Sequence, residues 1–298
     1  SNSISIPLIK DAVIKKEEKQ KDKLEILYFT DPICSTCWTL QPHLRKLKYA
    51  FSGAVEFKYV MGGLLPSWNN FDRGGITAPS DVATHWNEVG LESGMPIDGS
   101  IWNVNPLHSS YPPAIAFKAA QLQSQEKSLI FLRRLNEMVF LEGRNIASLP
   151  IIRSAAMQTG LDVNRLLLDI RGSAFLAFKE DISYSQQLGI DYLPTFLFKV
   201  NGENVEFHYG IQDYETFEKS ILKYIPFDSL GPPILSPLDV FADYPSITRT
   251  EFKYLTDTTD VQADNLLSEL KKFGLISQKE TLAGPLYFSS QPSSAFLV

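Results

Sequence analysis

The feature that most constrains the fold is a Cys-x-x-Cys pair at the junction of a predicted strand and a predicted helix. Cys34 and Cys37 are the only cysteines in 298 residues. Residues 24–30 form an apolar run of strand length, and apolar residues then recur at helical spacing from Trp38 to Phe51. Residues 55–61 alternate as a second strand. The sequence therefore predicts a β-α-β unit whose first strand-to-helix junction carries both thiols.

This placement favours thiol–disulfide chemistry. A thiol at a helix N-terminus has a lowered pKa, because the helix dipole and free backbone N–H groups stabilise the thiolate. Cys34 is the candidate nucleophile, and Cys37, one turn later, can attack a mixed disulfide that Cys34 forms. A zinc site is an alternative, but the chain has no second Cys pair and its four histidines lack zinc-ligand spacing. We expect no metal and no external cofactor; an inert or repurposed pair stays open.

Composition excludes several classes of partner. The net charge of −6 and pI near 5.3 argue against nucleic acid, which needs a basic protein surface. No apolar run reaches transmembrane length, and the first residues lack the organisation of a secretory signal. No cysteine lies outside the motif to build a structural disulfide framework. We therefore expect a cytoplasmic protein without a membrane partner.

The rest of the chain divides into segments of different composition. Residues 1–23 are predicted to form a charged N-terminal tail, and residues 24–225 the main domain. A helical insertion spans about 64–172 within it, with helical periodicity over 79–91, 112–125, 127–141, 149–158 and 163–170. A further helix, a hairpin with an Asn-Gly turn and a last helix follow. Pro194 opens the third strand, and we predict a cis Leu193–Pro194 bond there.

The composition changes after residue 225. Residues 226–245 are predicted to be a proline-rich linker, and residues 246–298 a small winged-helix-like domain of two helices and a hairpin. The second helix carries Asp260, Asp264 and Glu269, which makes a poor surface for phosphates. We therefore expect this domain to serve a homodimer or a partner protein rather than DNA.

Three motifs in this order resemble the DsbA-like branch of the thioredoxin superfamily. The Cys-Ser-Thr-Cys-Trp box at 34–38 and the Met-Gly-Gly-Leu segment at 61–64 are similar to FrnE-like and predicted protein-disulfide isomerase members. The resemblance covers about residues 24–225 and implies an α/β, thioredoxin-like fold with an all-helical insertion. It also implies that Cys34 is the exposed nucleophile, that Cys37 resolves the intermediate, and that Leu193 and Pro194 border the substrate groove. Trp38 is expected to form a wall of that groove, with a core position as the alternative.

The favoured function is a thiol–disulfide oxidoreductase or isomerase acting on protein or peptide disulfides. The chain is also similar to thioredoxin-fold adaptors that present a transcription factor to the ClpXP protease, which would make the fold a docking surface without essential redox chemistry. A third class, the kappa glutathione transferase and chromene-carboxylate isomerase branch, usually keeps one nucleophilic position, and the pair Cys34 and Cys37 argues against it. The Ser-Thr dipeptide between the cysteines leaves the direction of electron transfer open.

Overall fold

The structure, a computed structural model, describes residues 23–225 and 233–290. The charged tail predicted for residues 1–23 lies outside the described residues except for Lys23, and so does the first part of the predicted linker.

The chain begins with the predicted β-α-β unit, but its helix is broken in two. The elements are β1 (Leu24–Thr30), α1 (Ser35–Thr39), α2 (Gln41–Ala50) and β2 (Val55–Met61). The break falls at Leu40, which ends α1 and caps α2. Pro42 explains it, because proline has no backbone N–H to continue the hydrogen bonding of α1 and is well tolerated in the first turn of a new helix.

The helical insertion follows β2 and matches the predicted segments closely. Its members are α3 (Pro79–Ser93), α4 (Ile101–Val104), α5 (Tyr111–Gln123), α6 (Gln125–Phe140), α7 (Leu149–Gln158) and α8 (Val163–Ile170). Only α4 lies outside the predicted helical segments. It is one short turn, and its Ile101 and Trp102 are buried in the core of the insertion.

The second half of the sheet comes after the insertion. Helix α9 (Ser173–Gln187) leads into β3 (Thr195–Val200), β4 (Glu203–Tyr209) and α10 (Tyr214–Leu222). The strand order is β2-β1-β3-β4, with β1 and β2 parallel and the other pairs antiparallel. Leu24 pairs with Val55 on one side and with Val200 on the other, so β1 is an inner strand of the sheet, and the Cys pair follows its C-terminal end.

Apolar side chains cover both faces of this sheet. Ile26 and Tyr28 on β1 pack with α2 and α10 on one face. Leu27 and Phe29, which alternate with them, pack with α9 on the other. This alternation is the two-residue period of a strand buried on both sides.

The C-terminal segment contains more regular structure than expected. It comprises α11 (Pro237–Asp243), β5 (Ser246–Thr248), α12 (Arg249–Thr256), α13 (Asp260–Lys272), β6 (Ile276–Thr281) and β7 (Gly284–Ser289). The strand order is β5-β7-β6. Helix α11 occupies the described part of the predicted linker, because Val240 and Phe241 are buried with Ile247 and Phe252 in a core of this segment.

None of the helices in the described ranges combines the length and apolarity that crossing a bilayer requires.

Candidate functional site around the Cys34–Cys37 disulfide

The two cysteines are joined in a disulfide at the start of α1. Cys34 is the N-cap of that helix, and its Sγ accepts a hydrogen bond from the Cys37 backbone N–H at 3.1 Å. The backbone N–H of Cys34 donates to the carbonyl of Asp31 at 3.1 Å, which closes the turn between β1 and the helix. The thiols are therefore held where the helix dipole and unpaired N–H groups stabilise a thiolate.

Cys34 is less accessible than the resemblance implied. Each cysteine is only 4% exposed, so Cys34 is not an openly exposed nucleophile. The two still differ in position, because Cys34 lines a surface groove together with Ser35 and Thr36, and Cys37 does not. Attack from the groove would reach Cys34 first.

Asp31 connects this turn to two other parts of the fold. Its buried carboxyl accepts the backbone N–H of Ile33 at 3.1 Å, which is the local capping contact that a turn residue can make. The same carboxyl accepts the Leu64 N–H at 2.8 Å and the Ser110 hydroxyl at 2.9 Å. Burial raises the pKa of Asp31 to about 6, although these hydrogen bonds act in the opposite direction.

The Leu193–Pro194 bond is cis, as predicted. Leu193 lines the same groove as Cys34, whereas Pro194 is buried and is not part of the lining. Gly62, in the Met-Gly-Gly-Leu segment, allows this approach: a Cβ there would lie 2.7 Å from Cδ1 of Leu193. Gly63 has a φ of +65°, which favours glycine, and a Cβ there would lie 2.5 Å from Cδ1 of Ile182, so a side chain at either glycine would force its neighbour to move.

The groove is much longer than the cysteine site. Its volume is about 1060 Å³, and it runs from the Cys turn between the 191–193 loop, the segment after β2 and helix α3. The aromatic residues that line it include Trp68, Phe71, Trp86 and Trp102. The sequence motifs did not indicate that Trp68, Phe71 or Arg73 lie in the same groove as Cys34.

Trp38 lies in the core and not on the groove wall. It is 1% exposed, stacks on Phe140 at 5.4 Å between ring centroids, and donates its indole N–H to the carbonyl of Pro96 at 3.0 Å. The guanidinium of Arg133 lies 4.6 Å from its ring centroid. Trp38 therefore occupies the alternative core position, and the expectation that it forms a wall of the groove is wrong.

Arg133 leads to a buried charge network that joins α2, α6 and α12. It forms two hydrogen bonds with Glu251, at 2.8 and 3.0 Å, and one with Glu137 at 2.8 Å. Arg45 reaches the same Glu251 carboxylate at 3.3 Å. Burial favours the neutral acid, but the two arginines outweigh it and lower the pKa of Glu251 to about 2.

This network fixes the C-terminal segment against the rest of the chain. Arg45 also donates to the carbonyl of Ser246 at 2.8 Å, and Tyr244 donates its hydroxyl to the carbonyl of Arg45 at 2.9 Å. No sequence pattern could indicate it, because Arg133 and Glu251 are 118 positions apart. His43 also belongs to this interface, since its Nδ1 lies 2.7 Å from the Tyr254 hydroxyl.

In the ranges 23–225 and 233–290, no three His, Cys, Asp or Glu side chains come together in a way that could hold a metal ion.

Comparison with known proteins assigns the chain to a family. A family model described as Thioredoxin matches residues 27–220, which is more than half of the sequence. The chain belongs to the thioredoxin family. Among solved structures, this thioredoxin-family chain is similar to the cytosolic disulfide reductase DsbM from Pseudomonas aeruginosa, with a TM-score of 0.54 and 20% identity over 67% of this chain and 98% of that one. The likeness confirms the fold, a DsbA-like thioredoxin domain with a helical insertion.

Curated relatives extend the likeness over more of the chain. The ClpXP adapter protein SpxH of Halalkalibacterium halodurans is 32% identical over 279 residues, which cover 91% of this chain and 89% of the relative. The ClpXP adapter protein SpxH of Bacillus subtilis is 28% identical over 85% of this chain and 83% of that protein. Residues 1–225 are only about three quarters of the sequence, so the first of these alignments must include part of the C-terminal segment.

Proposed function

We propose that this thioredoxin-family chain is an adapter that presents a partner protein to the ClpXP protease. The observation that carries the proposal is the 91% coverage of the chain by a relative named as a ClpXP adapter. That coverage extends past the DsbA-like domain, the part that a stand-alone disulfide reductase resembles.

The contacts of the C-terminal segment support this proposal. An adapter holds one protein while another acts on it, and it therefore needs surfaces with a fixed mutual orientation. The Arg133–Glu251 and Arg45–Glu251 contacts are buried and hydrogen-bonded, so α12 is tied to α2 and α6 by groups that are costly to separate. The thioredoxin domain and the C-terminal segment then present one continuous surface to partners.

The test is a comparison of protein lifetimes in the native host. Pulse-labelled proteins would be followed in a strain lacking this chain and in a strain lacking ClpX. We expect at least one protein to persist in both strains and to be degraded again when the wild-type chain is restored. A Cys34→Ser, Cys37→Ser double variant should restore degradation equally well. If no protein is stabilised in both strains, the adapter proposal is wrong.

Thiol–disulfide exchange is a second candidate, because the Cys34–Cys37 disulfide closes at a helix N-terminus beside an open groove. In the reduced protein the Cys34 thiolate would attack one sulfur of a substrate disulfide and release the other as a thiolate. The Cys37 thiolate would then attack Sγ of Cys34, release the second substrate thiolate and close the disulfide. Two electrons pass from the pair to the substrate, and an external thiol must reduce the pair again.

Dithiothreitol-dependent reduction of insulin measures this activity. We expect a rate above that of dithiothreitol alone for the wild-type protein, and no acceleration by Cys34→Ser. A wild-type rate equal to the Cys34→Ser rate would leave the pair without this activity and would not affect the adapter proposal.

A further inference from the structure

The groove beside Cys34 has an acidic rim that neither proposed activity explains. Among the residues that line it, the charged side chains are four carboxylates, Asp72, Asp81, Glu88 and Asp191, and one guanidinium, Arg73. Lysines are missing from this lining. The excess of carboxylates therefore makes the mouth of the groove negative.

Three of these carboxylates are available to a ligand. Asp72, Glu88 and Asp191 are exposed, and none of them has a cationic partner within 4.0 Å among the described residues. The nearest local contact is from the backbone N–H of Gly75 to Asp72, at 3.3 Å. These carboxylates come from the loop after β2, from α3 and from the 191–193 loop, so they surround the groove.

The fourth carboxylate is ionised for a local reason. Asp81 accepts the backbone N–H groups of Thr77 and Ala78 at 2.9 and 3.0 Å, at the start of α3. These hydrogen bonds lower its pKa. Asp81 therefore contributes a negative charge to the rim even though it serves as a helix cap.

Arg73 does not neutralise the rim by ion pairing. Its guanidinium donates to the carbonyl of Leu64 at 3.3 Å and to the carbonyl of Asp191 at 2.6 Å. It thus joins the two sides of the groove through backbone groups. His85 and Tyr192 are the other titratable side chains of the lining, apart from the disulfide-bonded Cys34.

The floor of the groove is apolar and aromatic. Trp68 and Phe71 are half-buried, with ring centroids 5.4 Å apart in an edge-to-face arrangement. Partly exposed aromatic faces bind apolar side chains and also attract lysine and arginine through the negative face of the ring. An acidic rim over such a floor fits a segment that combines apolar and basic residues.

We infer that the groove binds a client segment with apolar anchor residues flanked by lysine or arginine. The inference rests on the proposed adapter function and names the class of client that the adapter would recognise. The basic residues would pair with Asp72, Glu88 and Asp191, and the apolar anchors would contact Trp68 and Phe71. A negative groove also speeds the approach of a basic segment.

The experiment uses the full-length oxidised protein, immobilised, and a phage-displayed library of random linear peptides as the probe. We expect the selected peptides to be enriched in Lys and Arg next to aromatic or aliphatic residues. A synthetic peptide of the consensus sequence, measured by fluorescence anisotropy, should bind more weakly as salt is raised, because exposed charge pairs are screened. Selection of acidic or uncharged peptides, or of none, would overturn the inference.

Charge reversal localises the binding. Glu88→Lys should lower the affinity for the consensus peptide by about threefold to tenfold, because it replaces one exposed charge attraction with a repulsion. Glu269→Lys is the matched control: Glu269 is exposed on α13 and is not part of the groove lining, so this change should leave affinity unchanged. Glu88→Gln, which keeps the side-chain size, should have a smaller effect in the same direction. Equal weakening by Glu88→Lys and Glu269→Lys would show only a response to net charge and would refute the site.

Failure of this inference is separable from failure of the adapter proposal. Peptide selection contains no ClpXP, so a negative lifetime experiment would leave the peptide result standing. Conversely, ClpXP could degrade a client normally in a strain that carries the Glu88→Lys variant of this chain. That client would then bind to a surface other than the groove.

Discussion

The buried carboxylate of Glu251 should be the most sensitive point of the interface between the C-terminal segment and the thioredoxin domain. Glu251→Gln keeps the shape and an acceptor for the Thr248 backbone N–H, which Glu251 binds at 2.8 Å. It removes the negative charge that compensates Arg133 and Arg45, both of which are buried. Arg133 keeps its contact with Glu137, but Arg45 loses its carboxylate partner, and leaving a buried charge unpaired costs about 3–5 kcal/mol.

The pKa of Glu251 gives a second value, of similar size, for the stability that its charge contributes. Its value is about 4.5 in the unfolded chain and about 2 in the folded protein. By linkage this difference corresponds to about 3 kcal/mol of stability. Because the folded-state pKa is the lower one, the contribution is complete above about pH 4.5 and is lost as the pH falls toward about 2.

Urea unfolding at pH 7, followed by tryptophan fluorescence, measures the effect. We expect Glu251→Gln to lower the free energy of unfolding by about 3–5 kcal/mol. Glu269→Gln, an exposed glutamate on α13 with no ion pair among the described residues, should change it by less than about 0.5 kcal/mol. The difference in the free energy of unfolding between the wild-type protein and Glu251→Gln should become smaller as the pH is lowered from about 4.5. A Glu251→Gln variant as stable as Glu269→Gln would refute the network as a stabilising contact.

Three further predictions concern Asp31, Gly62 and the C-terminal segment. The pKa of Asp31 is raised in the folded protein to about 6. The free energy of unfolding of the wild-type protein should therefore fall by about 3 kcal/mol as the pH rises from about 4 to about 6. Urea titrations at each pH measure this decline, and Asp31→Asn should lack it. Gly62→Val should lower the thermal midpoint and shift the Leu193 loop, because even a Cβ at position 62 would lie 2.7 Å from Cδ1 of Leu193. Calorimetry measures the midpoint, and an unchanged midpoint would contradict the tight contact. A chain ending at Ile225 should be less stable than the full protein in calorimetry, and Arg45→Met should recover part of the loss, because it removes a guanidinium left without Glu251. Equal stability of the truncated and full-length chains would contradict that expectation.

Local patterns predicted the main domain well because its elements are determined by short-range chemistry. The two strands around the Cys pair, the insertion helices and the Asn-Gly hairpin each follow from hydrophobic periodicity and turn residues within one segment. The bounds of α7 and α8 agree with the predicted residues 149–158 and 163–170. The cis Leu193–Pro194 bond was also predicted, from a proline at the opening of the third strand.

The long-range features escaped prediction for a physical reason. The accessibility of Cys34 depends on the segments around 64 and 193, which pack over it from distant parts of the chain. The position of Trp38 depends on Arg133 and Phe140 of α6, and residue type alone does not distinguish a tryptophan in a groove wall from one in the core. Burial and pairing across the chain decide both questions.

Buried, paired charges and exposed, unpaired charges have different roles in this protein. Glu251 is buried and paired with Arg133 and Arg45, so its ionisation stabilises the arrangement of the domains and is screened little by salt. Asp72, Glu88 and Asp191 are exposed and unpaired within the described part of the chain, so they add little to stability and remain free to bind. Substitutions of the first kind should therefore change unfolding without changing the composition of selected peptides. Substitutions of the second kind should do the reverse, and this opposition can be tested on one set of purified variants.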